Sequence, residues 1–156
     1  MEPAALLDLC RSKGLMLATA ESCTGGMVGA ALTDVAGSSD VFERGFITYS
    51  NAAKVEMLGI LPATLDAHGA VSEEIAREMA EGALARSAAT LTVSITGIAG
   101  PGGSEHKPEG RVCFGLAGCG DTVTETVEFG ALGRAGVREA ALHHALALLA
   151  ARARAA

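Results

Sequence analysis

Hydrophobic and polar positions near the start of the chain predict helices alternating with a strand. AALLDLCRSKG carries apolar residues at helical spacing between Pro3 and Gly14, which predicts a short amphipathic helix. The apolar run LMLATA, from Leu15 to Ala20, predicts a buried strand. The small apolar residues from Gly25 to about Val35 predict a helix packed closely against a sheet. The first unit is therefore helix, strand, tight turn and helix.

The middle of the chain repeats the alternation of strand and helix. FERGFITYS, from Phe42 to Ser50, alternates as a strand, and NAAKVEMLGI predicts a helix capped by Asn51 and ended by Gly59. In HGAVSEEIAREMAEGALARS, Ser72 is expected to cap another helix whose first turn is acidic, as the helix dipole favours. TLTVSITGIAG then predicts a strand that runs into the glycine-rich loop GPGGSEHKPEG.

The last third of the chain predicts an antiparallel hairpin followed by a long helix. RVCFGLAG and TVTETVEF read as two strands around the turn CGD, and GRAGVREAALHHALALLAARARAA as the closing helix. The whole pattern predicts an α/β fold, a three-layer α/β/α sandwich with a mixed, mostly parallel sheet and a C-terminal antiparallel hairpin. We expect one domain over residues 1–156, since no repeat or linker divides the chain.

Composition and charge narrow the classes of function. Of the 156 residues, 49% are hydrophobic but only 3% aromatic, so the core must consist of small aliphatic side chains. A net charge of −6 argues against nucleic acid or an anionic membrane as partner and favours a small-molecule ligand. No leader sequence or membrane-spanning run is evident. Four isolated cysteines favour free thiols in a reducing cytoplasm, and they are Cys10, Cys23, Cys113 and Cys119.

Three polar or glycine-rich segments each follow a predicted strand. They are ESCTGG, TYSNAAK and TGIAGPGGSEHKP. Ligands of open α/β sheets bind outside the carboxyl ends of the strands. If the strands are parallel neighbours, the three segments meet at one edge of the sheet, and we expect a site there.

ESCTGG admits several interpretations. Ser22 at a strand-to-helix turn lies near unpaired backbone N–H groups, which suits an oxyanion or phosphate site. Alternatively, Ser22 or Thr24 only caps the following helix. Gly25 and Gly26 permit close approach of a ligand or simply close packing. Cys23 could be a nucleophile, but its aliphatic neighbours favour a small buried hydrophobic residue.

TYSNAAK adds the only tyrosine, Tyr49, and a candidate base, Lys54. A serine hydroxyl needs a proton acceptor, and a desolvated lysine with a lowered pKa can serve as a neutral amine. The positive end of the predicted helix would favour that neutral form of Lys54. A solvated surface lysine and a tyrosine that merely packs on the sheet stay open as alternatives. The carboxylate of Glu21 must either find a partner or face water.

The glycine-rich loop offers many backbone N–H groups and few bulky side chains, which suits a phosphate or a ribose. It matches neither a Walker A motif nor a dinucleotide fingerprint. Thr96, Ser104 and Lys107 supply donors for a phosphorylated ligand, although a flexible surface loop is the alternative. The four histidines are His68, His106, His143 and His144. No pair of them has a convincing spacing for a metal site.

Four segments together resemble the C-terminal domain family of the competence- and damage-inducible protein CinA. In order along nearly the whole chain they are TAESCTGGMVGAALTDVAGSSDVFERGFITYSNAAKVEMLGI, AHGAVSEEIAREMAEGAL, VSITGIAGPGG and KPEGRVCFGL. Many members of that family are nicotinamide-nucleotide amidohydrolases, which convert nicotinamide mononucleotide and water to nicotinate mononucleotide and ammonia. Larger members carry an N-terminal domain resembling molybdopterin-binding proteins, and this chain resembles the stand-alone form.

The resemblance implies roles for particular residues. Ser22 would be the nucleophile, Lys54 the assisting base, and Tyr49 would lie close to both. Backbone amides around Thr24 and Gly25 would stabilise the oxyanion, worth about 3 kcal/mol per donor in other acyl-transfer enzymes. The implied oxyanion and substrate-binding set is Thr24, Gly25, Gly26, Thr96, Gly97, Gly100, Gly102, Gly103 and Ser104. No metal or organic cofactor is required, and we expect a homo-oligomer, with a dimer as its form.

Two departures from the family pattern concern the glycine-rich loop. GPGGSEHKPEG is one residue shorter than expected, and Glu109 stands where an apolar residue is expected. Such changes could alter phosphate affinity or select a different amide. Another hypothesis is a catalytically lapsed nucleotide- or partner-binding module that serves competence or DNA-damage responses. The presence of Ser22, Tyr49 and Lys54 favours the enzyme.

Overall fold

The computed structural model describes residues 1–156 and contains six α-helices and five β-strands. Their bounds, in chain order, are α1 (Pro3–Lys13), β1 (Leu17–Glu21), α2 (Met27–Thr33), β2 (Phe42–Ile47), α3 (Asn51–Leu58), α4 (Pro62–His68), α5 (Glu73–Ala85), β3 (Leu91–Gly97), β4 (Arg111–Ala117), β5 (Val123–Glu128) and α6 (Gly133–Ala155). A short 3-10 turn, Ser38–Asp40, precedes β2.

The five strands form one mixed sheet in the order β2-β1-β3-β4-β5. Strand β1 pairs in parallel with both β2 and β3, while β4 is antiparallel to β3 and β5. Four strands therefore point the same way and only β4 is reversed. The prediction of a mixed, mostly parallel sheet with an antiparallel hairpin near its C-terminal end is confirmed.

Helices cover both faces of the sheet. On one face α1 and α2 pack against α6, and on the other α3 and α4 pack on α5, which lies along β3 and β4. The larger core cluster holds 22 buried residues, all aliphatic or cysteine apart from Phe114. A second cluster beneath α5 includes Ala20, Ile75 and Met79. The three-layer α/β/α prediction is confirmed, and the core is built from the small side chains that the composition requires.

Helix boundaries follow the predicted signals with two exceptions. Gly14 and Gly59 end α1 and α3 in the left-handed conformation, and Ser72 caps α5 through the N–H of Ile75, as predicted. The prediction that Asn51 caps α3 is wrong, because the Ser50 hydroxyl accepts from the N–H of Ala53 and so takes that role. Helix α4 was not predicted: it is only seven residues long and no side chain caps it.

None of the six helices combines the length and the apolar character needed to cross a membrane. All four cysteines are free, three of them buried and Cys119 exposed.

Candidate active site

The three segments that follow β1, β2 and β3 meet around one cavity of about 320 Å³. Ser22 and Cys23 come from the first segment, Tyr49 and Lys54 from the second, and the glycine-rich loop forms much of the remaining wall. The predicted convergence of the three segments is therefore confirmed. It arises because β1 lies between β2 and β3 with all three strands parallel, so that their carboxyl ends share one edge.

The backbone holds Ser22 at the start of the turn after β1. Its N–H donates to the carbonyl of Ile95 on β3, and its own carbonyl accepts from the N–H of Gly25. Gly25 and Gly26 then adopt φ values of 56° and 102°, a region that side chains other than glycine rarely occupy. The turn therefore delays the start of α2 to Met27 and leaves the Ser22 side chain, 7% exposed, in the cavity wall.

Glu21, not Ser22 or Thr24, satisfies the amino end of α2. Its buried carboxylate accepts from the Thr24 hydroxyl at 2.7 Å, the Val28 N–H at 3.0 Å and the Gly29 N–H at 3.1 Å. A carboxylate at this position pairs with free helical N–H groups and with the positive end of the helix dipole. Since Glu21 does the capping, the Ser22 hydroxyl is available for a different contact.

Lys54 provides that contact from the second segment. Its ammonium nitrogen, Nζ, lies 3.1 Å from Ser22 Oγ, 3.0 Å from the carbonyl oxygen of Thr48 and 3.2 Å from that of Tyr49. The residue is only 1% exposed, so it is not the solvated surface lysine of the alternative interpretation. The Ser50 cap helps to place it, because the cap fixes the start of α3 one turn before Lys54.

The surroundings of Lys54 favour its neutral form. Burial lowers the pKa of Lys54 from its ordinary value, and the nearby Cys23 and Glu105 act more weakly in the opposite direction. Burial is the largest of these effects. A neutral amine has two N–H groups, which match the two carbonyls, and one lone pair, which matches a hydroxyl donor on Ser22.

Cys23 behaves as a buried hydrophobic residue. Its side chain belongs to the larger core cluster and is 5% exposed. Burial raises the pKa of the Cys23 thiol to about 11, so the reactive thiolate is disfavoured near neutral pH. Ser22 is therefore better placed than Cys23 to attack a carbonyl.

The Tyr49 side chain lies away from the Ser22–Lys54 pair. It is 60% exposed, and its hydroxyl accepts from Arg134 Nη2 at 2.7 Å. Only the backbone of Tyr49 contacts Lys54, through its carbonyl oxygen. The structure shows no hydrogen bond from the Tyr49 hydroxyl to Ser22 or Lys54, so a catalytic role of the Tyr49 side chain beside this pair, which the resemblance implies, has no geometric support.

The turn also determines which amides remain free. The N–H groups of Cys23 and Thr24 have no acceptor in the protein, whereas the Gly25 N–H is committed to the Ser22 carbonyl. The Thr24 side chain is buried on Glu21, and Gly26 packs against Ile47. Of the predicted oxyanion set, Thr24 and Gly26 keep free N–H groups and Gly25 does not, but none of the three lines the cavity. Cys23, which the prediction omitted, has a free N–H group and does line it.

The predicted residues of the third segment differ in role: some line the cavity, and others support the structure around it. The buried Thr96 hydroxyl donates to the Ala70 carbonyl, and a Cβ at Gly97 would lie 2.7 Å from Val112 Cγ2, so both also serve packing. Lys107 donates from Nζ to the carbonyls of His68 and Val71 and does not line the cavity, contrary to its expected role toward a ligand. The cavity wall does include Gly100, Gly102, Gly103 and Ser104.

Comparison with known proteins identifies the family. A sequence model of the CinA C-terminal domain matches residues 3–153. The chain belongs to the CinA C-terminal domain family. A solved structure from this family, competence/damage inducible protein CihA from Agrobacterium tumefaciens, is 45% identical with a TM-score of 0.92, covering 96% of this chain and 92% of that one. Another, from Klebsiella pneumoniae 700603, is 32% identical with a TM-score of 0.93 and complete coverage of both chains.

Curated relatives of this CinA domain include named enzymes. The nicotinamide-nucleotide amidohydrolase PncC of Escherichia coli K12 is 57% identical over 108 residues, which is 69% of this chain and 66% of that protein. The PncC of Enterobacter agglomerans is 56% identical over 109 residues, with the same coverage. A CinA-like protein of Chlorobaculum tepidum is 58% identical over 113 residues, 72% of this chain, but this chain spans only 27% of its length.

Two arginines of α6 that the sequence reasoning missed complete the site of this CinA domain. Arg134 lines the cavity and donates to the carbonyl of Gly100 at 2.7 Å as well as to Tyr49. Arg138 donates to the carbonyls of Cys23 and Thr24 and so braces the Ser22 turn. Sequence could have indicated them as a pair, because residues four positions apart on the predicted helix share one face.

Glu109, one of the departures from the CinA pattern, ties the glycine-rich loop to α6. Its carboxylate accepts from the N–H of Gly102 at 2.7 Å and from the N–H of Gly133 at 2.9 Å. The loop is therefore fastened beside Arg134. The four histidines lie outside the cavity wall, and no group of three potential ligands among His, Cys, Asp and Glu is close enough to hold a metal ion.

Proposed function

We propose that this CinA domain is a nicotinamide-nucleotide amidohydrolase that converts nicotinamide mononucleotide and water to nicotinate mononucleotide and ammonia. The observation that carries the proposal is the buried Lys54 Nζ, 3.1 Å from Ser22 Oγ, with its other two contacts made by carbonyl oxygens. The names of the relatives from E. coli and E. agglomerans supply the substrate class.

In the first half of the reaction Ser22 attacks the carboxamide carbon. The neutral Lys54 amine accepts the hydroxyl proton as the Oγ–C bond forms, which makes a poor nucleophile effective. The resulting tetrahedral oxyanion is stabilised by N–H groups of the turn that have no acceptor in the protein: that of Cys23, which lines the cavity, together with that of Thr24. The Lys54 ammonium then protonates the departing nitrogen, the C–N bond breaks, and ammonia leaves an ester on Ser22.

In the second half water hydrolyses that ester. Lys54, neutral again, accepts a proton from the water as its oxygen adds to the ester carbon. Collapse of the second tetrahedral intermediate breaks the bond to Ser22 Oγ, which recovers its proton from Lys54. One water is consumed per cycle, and the carboxylic acid and ammonia that form exchange a proton to become carboxylate and ammonium. Each of these steps uses only groups that belong to the chain or to the substrate.

The cavity accounts for the nucleotide part of the substrate. Its volume of about 320 Å³ lies at the lower end of the range for small-molecule sites. The Arg134 guanidinium stands at the rim as the cation for the phosphate, since arginine pairs well with phosphate oxygens. The backbone from Gly100 to Ser104 offers a wall with few side chains for the ribose, while Thr96 and Gly97 support that wall from β3.

We extend the proposal to the protein as a whole. Residues 1–156 act as one amidohydrolase domain, since the three segments that form the cavity all follow strands of one sheet. A reducing cytoplasm is the proposed location, supported by the four free cysteines. A homodimer is the proposed assembly, for which β2 and β5 each offer an edge that no other strand pairs with.

Ammonia release from nicotinamide mononucleotide tests the proposed function. Purified protein should form ammonia at the same rate with and without a chelator, and Ser22→Ala should lose this activity. Ser12→Ala, a change on the exposed face of α1, is the matched control and should keep it. A folded wild-type protein that binds the nucleotide without turnover would instead support the lapsed binding module, and loss of activity with chelator would contradict the mechanism.

A further inference from the structure

The cavity wall contains a carboxylate that the proposed mechanism does not use. Glu105 is the only acidic residue in the cavity wall, where the two basic residues are Lys54 and Arg134. When Lys54 is neutral, the wall carries one negative and one positive charge. Such a wall suits a ligand that itself carries one charge of each sign at separate ends.

A short hairpin at the tip of the glycine-rich loop holds Glu105 in place. Ser104 and Lys107 exchange two backbone hydrogen bonds of 2.9 and 2.8 Å, and Glu105 and His106 between them have φ values of 52° and 63°. Two central residues with positive φ are typical of a type I′ turn, which usually contains glycine or asparagine. A glutamate there is held against its backbone preference, in a loop that forms the cavity wall.

Contacts outside the cavity also hold Glu105 in place. Lys107 anchors the hairpin through its bonds to the carbonyls of His68 and Val71, and its Nζ lies 3.8 Å from Glu105 Oε2. The carboxylate rests on Gly69, where an added Cβ would approach Oε2 to 2.7 Å. Lys107 does not line the cavity, so a ligand in the cavity meets the carboxylate rather than the ammonium.

Glu105 shares the wall of one cavity with Ser22 and Lys54. Its charge acts to raise the pKa of Lys54, whose Nζ is 3.1 Å from Ser22 Oγ. A carboxamide positioned on Ser22 therefore places its ring within the field of Glu105. In nicotinamide mononucleotide this ring is a pyridinium with a full positive charge, whereas the phosphate at the other end is negative.

We propose that Glu105 is a specificity-determining residue that selects amides whose ring is cationic. The inference rests on the proposed function and adds that the site distinguishes a positively charged ring from a neutral one. Glu105 attracts the pyridinium end and Arg134 attracts the phosphate end, so the two charges orient the nucleotide with its carboxamide toward Ser22. A dihydropyridine nucleotide, with the same carboxamide, ribose and phosphate but a neutral ring, gains nothing from Glu105.

Binding of these two nucleotides tests the selection. In a Ser22→Ala background, which prevents turnover, Glu105→Gln should weaken binding of nicotinamide mononucleotide by about three- to tenfold, the range for a partly solvated charge pair. Binding of reduced nicotinamide mononucleotide should change less than about twofold. The loss should shrink as salt is added, because salt screens the interaction. Glu139→Gln, the same charge change on the exposed face of α6, is the matched control and should affect neither ligand.

The outcomes separate the inference from the function on which it rests. If Glu105→Gln weakens both nucleotides equally, or weakens neither, while the wild-type protein releases ammonia, selection by Glu105 is overturned and the amidohydrolase stands. If the wild-type protein releases no ammonia and the Ser22→Ala protein binds neither nucleotide, the proposed function fails and the inference fails with it.

Discussion

At the scale of single residues, three neighbouring side chains of the ESCTGG turn have three different roles. Glu21 caps α2, Cys23 fills the core, and Ser22 is left to face Lys54. The sequence left a helix cap and a nucleophile as competing interpretations of Ser22. The structure decides against the cap for Ser22, because Glu21 caps the helix instead.

Lys54→Arg tests whether a neutral amine is required. A guanidinium stays protonated at every accessible pH and cannot accept the Ser22 proton, so activity should fall by about 100- to 10,000-fold. In the wild-type protein kcat/KM should rise with pH as Lys54 deprotonates, with a midpoint below the ordinary lysine pKa, because burial lowers the pKa of this group. Pre-steady-state and steady-state rates measured across pH provide the check. A wild-type profile without a rising limb would contradict the role of Lys54.

The same group makes a prediction about stability. The pKa of Lys54 is lower in the folded than in the unfolded protein, so between these two values the unfolded chain binds more protons and the free energy of unfolding rises with pH. Below the folded pKa the penalty is complete, and above the unfolded pKa it is absent. Lys54→Met should flatten this slope in denaturant titrations over the same pH window. A parallel slope in both proteins would refute the assignment.

Glu21→Gln tests the cap. The side-chain carbonyl of glutamine can keep the bonds from Thr24 and Val28, but its NH₂ group then faces the Gly29 N–H, which loses its acceptor. We expect the free energy of unfolding to fall by about 1–3 kcal/mol, the cost of a buried unsatisfied group. Glu139→Gln on the exposed face of α6 should change it by less than about 0.5 kcal/mol. Equal effects of the two changes in urea titrations would contradict the assignment of Glu21 as the cap of α2.

At the scale of elements, α3 and α5 offer the same kind of cap in two different settings. Ser50 and Ser72 each accept a bond from the backbone N–H three residues later. Only the helix capped by Ser50 carries Lys54, whose Nζ also binds the carbonyl of Tyr49, the residue before the cap. The cap of α3 is therefore part of the support for the base.

Ser50→Ala and Ser72→Ala form a matched pair for that idea. Each should lower the free energy of unfolding by about 1 kcal/mol, the usual cost of a lost cap. Ser50→Ala should also reduce kcat, because the start of α3 sets the position of Lys54, whereas Ser72→Ala should leave kcat within about twofold of wild type. Urea titration and ammonia release measure the two effects. An unchanged kcat in Ser50→Ala would separate the cap from the site.

At the scale of the whole molecule, α6 reaches the site from far along the chain. Arg138 braces the turn at Cys23, and Arg134 joins Tyr49 to Gly100. The helix itself was predicted from sequence, as were the hairpin and the order of the other strands and helices apart from α4. Its contacts with the turn were not, because they join residues more than 100 positions apart and depend on where the packed helix begins.

The same distinction explains the other successes and misses. The left-handed glycines that end α1 and α3 are local signals, and both were predicted from sequence. Whether Ser50 or Asn51 caps α3 depends on the exact residue at which the helix begins, and hydrophobic periodicity does not locate a helix end to one residue. The pairing of Ser22 with Lys54 was expected from the family resemblance, and its geometry depends on β1 and β2 lying side by side.

Arg134→Ala tests the contribution of α6 to ligand binding. Loss of a charge-assisted contact with phosphate should raise the KM for nicotinamide mononucleotide by about ten- to hundredfold, with a smaller change in kcat. Inhibition by nicotinamide riboside, which lacks the phosphate, should be nearly unaffected. A variant that loses both ligands equally would show that Arg134 supports the cavity wall rather than the phosphate.

Trapping the covalent intermediate tests directly whether Ser22 is the nucleophile. The protein is mixed with nicotinamide mononucleotide, quenched in acid within one turnover, digested, and examined by mass spectrometry. We predict a peptide containing Ser22 that carries the acyl group of nicotinate mononucleotide as an ester, and no such adduct in Ser22→Ala. An adduct on Cys23, or a Ser22→Ala protein that releases ammonia at the wild-type rate, would contradict the account.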